Sequence, residues 1–318
     1  FINDQSPIDW VEKTERLIKN SSNIKVLKNT LVTTYNFKDH LIALEDKSVG
    51  KPQDNNKPEL VLHKIRTKQT ILANGHIERF ISFRNNDLPG VMLAASFEKY
   101  IQRYGVVPDE SPVIFTNNSS TFSLVKSLVG LGHKPKAYVD VRDQKNIEKE
   151  TVELLTKYNI PLYAKSEIEG CEGKNNISEV SIRAKKNEII KIKTSMLCVS
   201  GGFNPDIHLF TQSKGLLKWD ETLLAFKPEK TFQNTITLGS VSGNFSYEKL
   251  VGEINKKLDS LEGINDLEIK LNINGPKRFQ IKELWETKHA KKSLWSKSFI
   301  DLQNDVTIKD LKQAVLEG

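Results

Sequence analysis

The spacing of apolar and polar residues predicts regular secondary structure along most of the chain. Residues 7–20 place their apolar side chains on one helical face, which predicts a helix. A short strand is expected at 24–27. Three β-rich segments separated by polar turns then predict a hairpin or a small meander over residues 31–65, and a further strand follows at 70–73.

Between residues 91 and 200 the pattern alternates between short apolar strands and helices. This β-α-β-α-β order favours parallel strands joined by helical crossovers, as in a Rossmann-like domain. The predicted helices are 91–104, 121–131 and 145–158, and the predicted strands are 112–116, 136–141, 160–163 and 195–199, with a hairpin over 177–193.

Three predicted strands run into turns that contain glycine, and two of these turns flank the Rossmann-like segment. Glycine at a strand end lets the backbone approach another group closely. The chain is therefore expected to leave one dinucleotide-type domain, build a second and return to the first. The three strand ends are Ala73-Asn74-Gly75, Ser200-Gly201-Gly202 and Leu238-Gly239-Ser240.

The predicted fold class is α/β, with two Rossmann-like domains of the dinucleotide-binding type, one inserted in the other, and a short α-rich C-terminal extension. This is the arrangement of pyridine nucleotide-disulfide oxidoreductases. An incomplete NAD/FAD-type cofactor domain is expected in residues 1–90 and 201–262, and the inserted domain in residues 91–200. Residues 263–318 are expected to form a linker and a small helical module that leads to a further domain.

The inserted domain lacks the usual phosphate-binding loop. The turn after its first strand, residues 116–120, contains no glycine, whereas a G-x-G-x-x-G loop uses glycines to bring the backbone against a pyrophosphate. This domain is therefore expected to keep the fold without the need to hold a dinucleotide.

Charge and cysteine content narrow the class of protein. The net charge is +7, but the lysines are scattered among acidic residues and no basic run contains interleaved aromatics, so no nucleic-acid partner is predicted. A phosphate-bearing cofactor or an acidic partner fits the basic surface better. Cys171 and Cys198 form no CxxC pair, which favours a reducing, cytoplasmic setting. Neither a membrane-spanning segment nor a signal peptide is expected, and no membrane partner is predicted.

No catalytic residue and no metal site are predicted in this chain. Ser200 lies in Ser-Gly-Gly rather than in the G-x-S-x-G turn that exposes a nucleophilic serine. His76 and His208 are not spaced from other ligand residues as a metal site requires. Both histidines are therefore interpreted as structural.

Three motifs resemble the alpha subunit of heterotetrameric sarcosine oxidase, and they occur in the order found in that family. The resemblance extends over essentially the whole chain. It implies that the chain is the middle portion of that subunit, without the N-terminal dinucleotide loop and the C-terminal aminomethyltransferase-like domain. The motifs are residues 75–80 with residues 83–93, then residues 199–209, which include Ser200-Gly201-Gly202-Phe203-Asn204-Pro205 and His208-Leu209, and Phe299-Ile300-Asp301-Leu302-Gln303-Asn304-Asp305-Val306-Thr307.

The resemblance implies a role in a multi-subunit oxidoreductase. Such an assembly converts sarcosine to glycine with formation of peroxide and passes the one-carbon unit to tetrahydrofolate. The alpha subunit carries NAD, the beta subunit carries FAD, FMN lies between them, and gamma and delta subunits complete the complex. Because the glycine-rich loop lies outside this sequence, NAD binding by this stretch alone is expected to be weak or lost.

Two positions depart from related patterns. Phe80 replaces the family's proline, which changes the expected local turn. Related amine and opine dehydrogenases carry a cysteine-rich iron–sulfur module near the third motif, but residues 301–305 contain no cysteine. Since such clusters are held by thiolates, no iron–sulfur cluster is predicted.

Candidate cofactor-binding residues follow from the strand ends and from the family pattern. Asn74 and Gly75 are expected beside the dinucleotide. The glycine-rich turn before a helix predicted at 247–261 offers backbone N–H groups to a phosphate or ribose. The structural alternatives are an ordinary strand-end turn, tight strand–helix packing and, for Val32, an ordinary buried valine. The full set is Val32, Asn74, Gly75, Gly239, Ser240, Asn244 and Phe245.

Two other functions are alternatives to a sarcosine oxidase subunit. A stand-alone NAD(P)H-dependent flavin oxidoreductase of the disulfide type would carry a CxxC pair and a glycine-rich first turn, and this sequence contains neither. A non-catalytic binding scaffold would keep the fold and lose its affinity for the dinucleotide. Retention of NAD by the purified protein distinguishes the scaffold from a cofactor-binding subunit.

Overall fold

The computed structural model describes residue 2 and residues 5–50, 59–107, 110–259, 280–288 and 292–318. The chain divides into two units. Unit 1 comprises Phe1–Ile77 and Asn204–Gly275, and unit 2 comprises Glu78–Phe203 and Pro276–Gly318.

The described residues form α-helices and β-strands with the following bounds. The α-helices are α1 (Pro7–Asn20), α2 (Ala94–Tyr104), α3 (Phe122–Gly130), α4 (Lys149–Lys157), α5 (His208–Gln212), α6 (Tyr247–Asp259) and α7 (Ile308–Glu317). The strands are β1 (Thr30–Asn36), β2 (His40–Asp46), β3 (Leu60–Arg66), β4 (Thr70–Leu72), β5 (His76–Glu78), β6 (Val91–Leu93), β7 (Val113–Thr116), β8 (Ala137–Asp140), β9 (Leu162–Ala164), β10 (Glu167–Gly173), β11 (Ile177–Arg183), β12 (Ile189–Lys193), β13 (Leu197–Ser200), β14 (Phe203–Pro205), β15 (Leu216–Asp220), β16 (Ala225–Lys230), β17 (Thr235–Thr237), β18 (Phe299–Asp301) and β19 (Val306–Thr307).

Unit 1 is built from small sheets. Strands β1, β2 and β3 form an antiparallel meander, β15 pairs with β16 as a hairpin, and β4 pairs with β17 in parallel. Tyr35, Leu41, Leu72 and Phe210 form a buried apolar cluster. The Tyr35 hydroxyl lies 2.7 Å from Thr235 Oγ1, which ties the meander to the parallel pair.

Unit 2 is organised around a five-stranded parallel sheet in the order β6-β13-β7-β8-β9. Successive side chains of a strand point to opposite faces, and β7 shows this clearly. Val113 and Phe115 pack in a cluster with Ile168 and Val180 of the antiparallel sheet β10-β11-β12. Ile114 packs on the other face with side chains of α2, α3 and α4. Both faces of the parallel sheet are therefore covered, which explains its nearly continuous apolar strands.

Most predicted elements are confirmed. The helix predicted at 7–20 is α1, which begins after Ser6, whose hydroxyl accepts a hydrogen bond from Asp9 N at 3.2 Å. The meander is β1-β2-β3, and the predicted hairpin is β11 with β12. The alternating segment forms parallel strands with helical crossovers, as expected.

One predicted strand is wrong, one predicted helix begins three residues too early, and several strands, β10 among them, were not predicted. Residues 91–93 belong to edge strand β6, because Val91 pairs in register with Leu197 of β13, and the helix begins only at residue 94. Residues 24–27 form no strand; apolar side chains there stay exposed, and no neighbouring strand pairs with them in the described structure. Strand β10 was missed because its sequence, which contains two glycines and three glutamates, has weak strand propensity.

Candidate cofactor site

Two parallel strands of unit 1 bring the predicted cofactor-binding turns together. Thr70 pairs with Thr235, and Leu72 pairs with Thr237, so β4 and β17 end at the same edge. Leu238 N donates to Leu72 O at 2.9 Å, which continues the pairing into the turns. Ligands of open parallel α/β sheets bind beyond the carboxyl ends of the strands. The Asn74-Gly75 and Gly239-Ser240 turns occupy that position.

The turn after β4 is held by a segment that follows β14. Asn74 Nδ2 donates to Asp206 O at 2.7 Å, and Asp206 N donates to Gly75 O at 3.1 Å. Gly75 has a φ of +93°, a backbone conformation that residues other than glycine rarely adopt. A Cβ built on Gly75 would meet no atom within 4 Å, so the space in front of it is open. The backbone here can approach a ligand.

The turn after β17 is a short 3-10 helix, Gly239–Ser242, that precedes α6. The carboxylate of Glu253 in α6 accepts hydrogen bonds from this turn and from Asn244, which follows it. Gly239 N donates to Glu253 Oε2 at 3.2 Å, and Asn244 Nδ2 donates to the same oxygen at 2.7 Å. One carboxylate therefore takes two of the donors that the sequence assigned to a phosphate or ribose. The sequence pattern gave no sign of this role for Glu253, since it depends on the packing of α6.

His76 adds an aromatic and polar contact to the same edge. Its Nδ1 lies 2.9 Å from Ser240 Oγ, and its ring meets Phe245 edge-on with centroids 5.4 Å apart. Desolvation lowers the pKa of His76, which favours the neutral ring. His76 was interpreted from the sequence as structural; the structure places it against two of the predicted site residues.

Six of the seven predicted residues lie around this edge, and the seventh lies in the meander. Val32 pairs with Ala43 inside the sheet. Its half-buried side chain packs against the cluster that contains Leu72, the last residue of β4. The strand-end set comprises Asn74, Gly75, Gly239, Ser240, Asn244 and Phe245.

Within unit 2 the first family-like motif contacts the second and the third. Arg79 Nε donates to Gly201 O at 3.0 Å, which joins the first motif to the second. Asn86 joins the first motif to the third, because its amide donates to Phe299 O at 2.8 Å and accepts from Phe299 N at 2.9 Å. The motifs thus mark a shared structural framework. Arg84, a charged residue of the first motif, forms an ion pair outside the motifs: its Nη2 lies 2.6 Å from Glu172 Oε1.

The two cysteines are structural. Burial raises the pKa of the Cys171 thiol to about 12 and raises the pKa of Cys198 as well, so both stay protonated at neutral pH. Among the residues that the structure describes, no three His, Cys, Asp or Glu side chains are grouped as metal ligands. The same residues include no helix with the length and hydrophobicity needed to cross a membrane.

The architecture defines the class: an FAD/NAD(P)-binding α/β fold of the kind found in pyridine nucleotide-disulfide oxidoreductases. L-proline dehydrogenase from P. horikoshii superimposes with a TM-score of 0.55 and 16% identity, over 96% of this chain and 56% of that chain. Thioredoxin reductase from T. acidophilum superimposes with a TM-score of 0.50 and 14% identity, over 74% of this chain and 73% of that chain. The predicted fold class is confirmed.

Proteins of similar sequence indicate a narrower group within this fold class. The chain is 28% identical to sarcosine oxidase subunit alpha from Rhizobium meliloti (strain 1021), over 100% of this chain and 32% of that subunit. It is 30% identical to the same subunit from Corynebacterium sp. (strain U-96), over 74% of this chain and 25% of that subunit. These matches confirm the predicted resemblance to sarcosine oxidase alpha subunits. The chain spans about a third of the length of the first of these relatives, and no protein-family model matches it.

Proposed function

We propose that this chain is part of the alpha subunit of a multi-subunit sarcosine oxidase, in which it contributes NAD binding and subunit scaffolding. The observation that carries the proposal is the similarity to two sarcosine oxidase alpha subunits along 100% of this chain. The contacts between the three motifs in unit 2 support it, because they give each shared segment a structural role.

NAD is assigned to the carboxyl edge of β4 and β17 in unit 1. The open space in front of Gly75 allows a ligand to lie against the backbone, and Ser240 offers a half-buried hydroxyl beside His76. Asn74, Gly239, Asn244, Phe245 and Val32 complete the proposed set. These residues bind and orient; no residue of this chain is assigned a catalytic role.

The chemistry of the complete enzyme is assigned to its other parts. FAD and FMN supply the oxidation of sarcosine to glycine and the reduction of oxygen to peroxide, and a tetrahydrofolate site receives the one-carbon unit. The beta, gamma and delta subunits are the proposed partners. This division agrees with the inert cysteines of the described chain.

Co-expression tests the proposal. The complete alpha subunit that contains this chain is produced with its beta, gamma and delta subunits, and peroxide is measured with and without sarcosine. We expect sarcosine-dependent peroxide from the full set and none from a matched set without the alpha subunit. A complete, flavin-loaded complex that forms no peroxide from sarcosine would refute the assignment.

A binding scaffold is the second candidate, and the position of Glu253 favours it. Its carboxylate holds Gly239 N and the Asn244 amide, and it places a negative charge where a phosphate would lie. Under the scaffold hypothesis the purified complete subunit releases no nucleotide on denaturation. Under the main proposal it releases NAD.

A further inference from the structure

The second Rossmann-like sheet ends in an edge that the chain itself covers. In the order β13-β7-β8, three neighbouring strands end at Ser200, Thr116 and Asp140. In this fold the crevice at such an edge receives a dinucleotide. Here residues 280–284, which we call the strap, lie across all three strand ends.

Hydrogen bonds from the backbone and from a side chain attach the strap to the turn after β7. Lys282 N donates to Asn117 O at 2.9 Å, and Asn117 Nδ2 donates to Lys282 O at 2.8 Å. Asn118 and Ile281 form an antiparallel bridge. The strap therefore pairs with the turn that would cradle a pyrophosphate.

Further contacts attach the strap to the two flanking strand ends. Lys282 Nζ donates to Val141 O at 2.9 Å after β8. After β13, a Cβ added to Gly202 would come within 2.5 Å of Ile281 Cδ1, so the Ile281 side chain fills the space that this glycine leaves. Leu284 packs against the apolar cluster under the sheet.

The carboxylate that would bind a ribose is already paired with an arginine of the same unit. A dinucleotide fold places a carboxylate at the end of the second strand, roughly 20 residues beyond the phosphate loop, to hold ribose hydroxyls. Asp140 occupies that position at 0% exposure, and it is paired with Arg142 at 2.8 Å. Arg142 also donates to Asn118 O at 3.0 Å and to Gln280 O at 3.3 Å.

Polar groups of the turn after β7 form hydrogen bonds with one another. Asn118 Oδ1 accepts from Ser120 N at 2.9 Å, and Asn118 N donates to Thr116 Oγ1 at 3.1 Å. These backbone N–H groups are the ones that a phosphate would need. The residues at this edge therefore do not fit a dinucleotide.

We propose that the strap is a built-in occupant of this edge, so that unit 2 holds no dinucleotide and uses the edge to anchor the C-terminal segment of the chain. The proposal is independent of NAD binding in unit 1. It makes the glycine-free turn a docking surface for residues 280–284.

Hydrogen–deuterium exchange of the complete subunit tests the strap, first with its bound nucleotide removed and then with saturating NAD. We expect NAD to leave exchange unchanged at residues 116–121, 138–142 and 280–286. Slower exchange at 116–121 on addition of NAD would overturn the proposal. Residues 72–76 and 238–245 report separately on unit 1, so a failure of the proposed function appears there and not at the strap.

Two variants test whether the strap covers the turn. Lys282→Pro removes the N–H donor to Asn117, and exchange at residues 118–121 should rise roughly tenfold. Lys282→Ala keeps that donor and removes only the contact to Val141, so its rise should be smaller. Wild-type exchange in both variants would overturn the proposal. Neither variant should gain NAD binding at this edge, because Asp140 remains paired with Arg142.

Discussion

At the residue scale, Glu78 shows how an environment changes a side chain. Its carboxylate accepts a hydrogen bond from Ala95 N at 2.8 Å, at the N-terminus of α2. Burial raises the pKa of Glu78 to about 7, although hydrogen bonds from Ser200 and Ala95 act against this rise. Repulsion from Glu98, a second partly buried carboxylate, adds to the rise.

A raised pKa in the folded state has a defined effect on stability. Between its ordinary value of 4.5 and about 7, folded Glu78 binds a proton that the unfolded chain releases. The free energy of unfolding therefore falls as the pH rises through this window and stays low above it. One pKa unit corresponds to about 1.4 kcal/mol, and after allowance for partial exposure the loss is on the order of 2 kcal/mol.

Replacement of Glu78 by glutamine should remove this loss. Urea unfolding of Glu78→Gln and wild type is measured at pH 5 and pH 8, and the variant should gain stability relative to wild type at the higher pH. Glu110→Gln is the matched control. The hydrogen bond from Lys136 lowers the pKa of Glu110 from its ordinary value of 4.5, so this carboxyl is largely ionised in the folded and unfolded chain at both pH values. The difference between this variant and wild type should therefore be nearly the same at pH 5 and pH 8. An equal difference at both pH values would show that Glu78 is not buried as described.

At the scale of elements, α7 offers a clean test of local structure. It begins at Thr307, whose hydroxyl accepts from Asp310 N, while the Asp310 carboxylate accepts from Thr307 N at 2.8 Å. The spacing of Thr307 and Asp310 in the sequence, three residues apart before an apolar run, predicts this reciprocal cap, and the structure confirms it. Hydrogen bonds from Thr307 lower the pKa of Asp310, so the cap is strongest when that carboxylate is ionised.

Removal of the cap should loosen α7 alone. Thr307→Ala is expected to cost about 1 kcal/mol, seen as faster amide exchange in residues 308–313. Thr156→Ala in α4 is the control, because Thr156 donates to Val152 O within the helix and caps nothing. Unchanged exchange in α7 would contradict the capping role.

The sequence revealed elements more readily than contacts. Strand periodicity identified β7 and β8, because both are apolar on each face. It could not show that residues 91–93 join the sheet, since their strand exists only through pairing with β13. The strap has no periodicity of its own and depends on distant turns. Glu253 was missed for the same reason: its partners Gly239 and Asn244 are reached only after α6 folds back.

At the scale of the whole molecule, the two units differ at the carboxyl ends of their parallel strands: this edge is open in unit 1 and covered in unit 2. Unit 1 presents open space before Gly75 at the ends of two parallel strands. Unit 2 has the fuller parallel sheet, yet its edge is covered by residues 280–284. The proposed NAD site therefore lies in unit 1. The chain that contains it spans about a third of the length of the sarcosine oxidase alpha subunit from Rhizobium meliloti.

The most direct test counts the NAD released when the purified complete complex is denatured. Gly75→Ala is compared with Gly50→Ala, because both glycines have positive φ and a Cβ on either meets no atom within 4 Å. Both substitutions should therefore cost similar backbone strain, roughly 1 kcal/mol. We expect NAD in a one-to-one ratio with the alpha subunit in wild type and Gly50→Ala, and clearly less in Gly75→Ala. Equal NAD in the two variants, or none in wild type, would contradict this expectation.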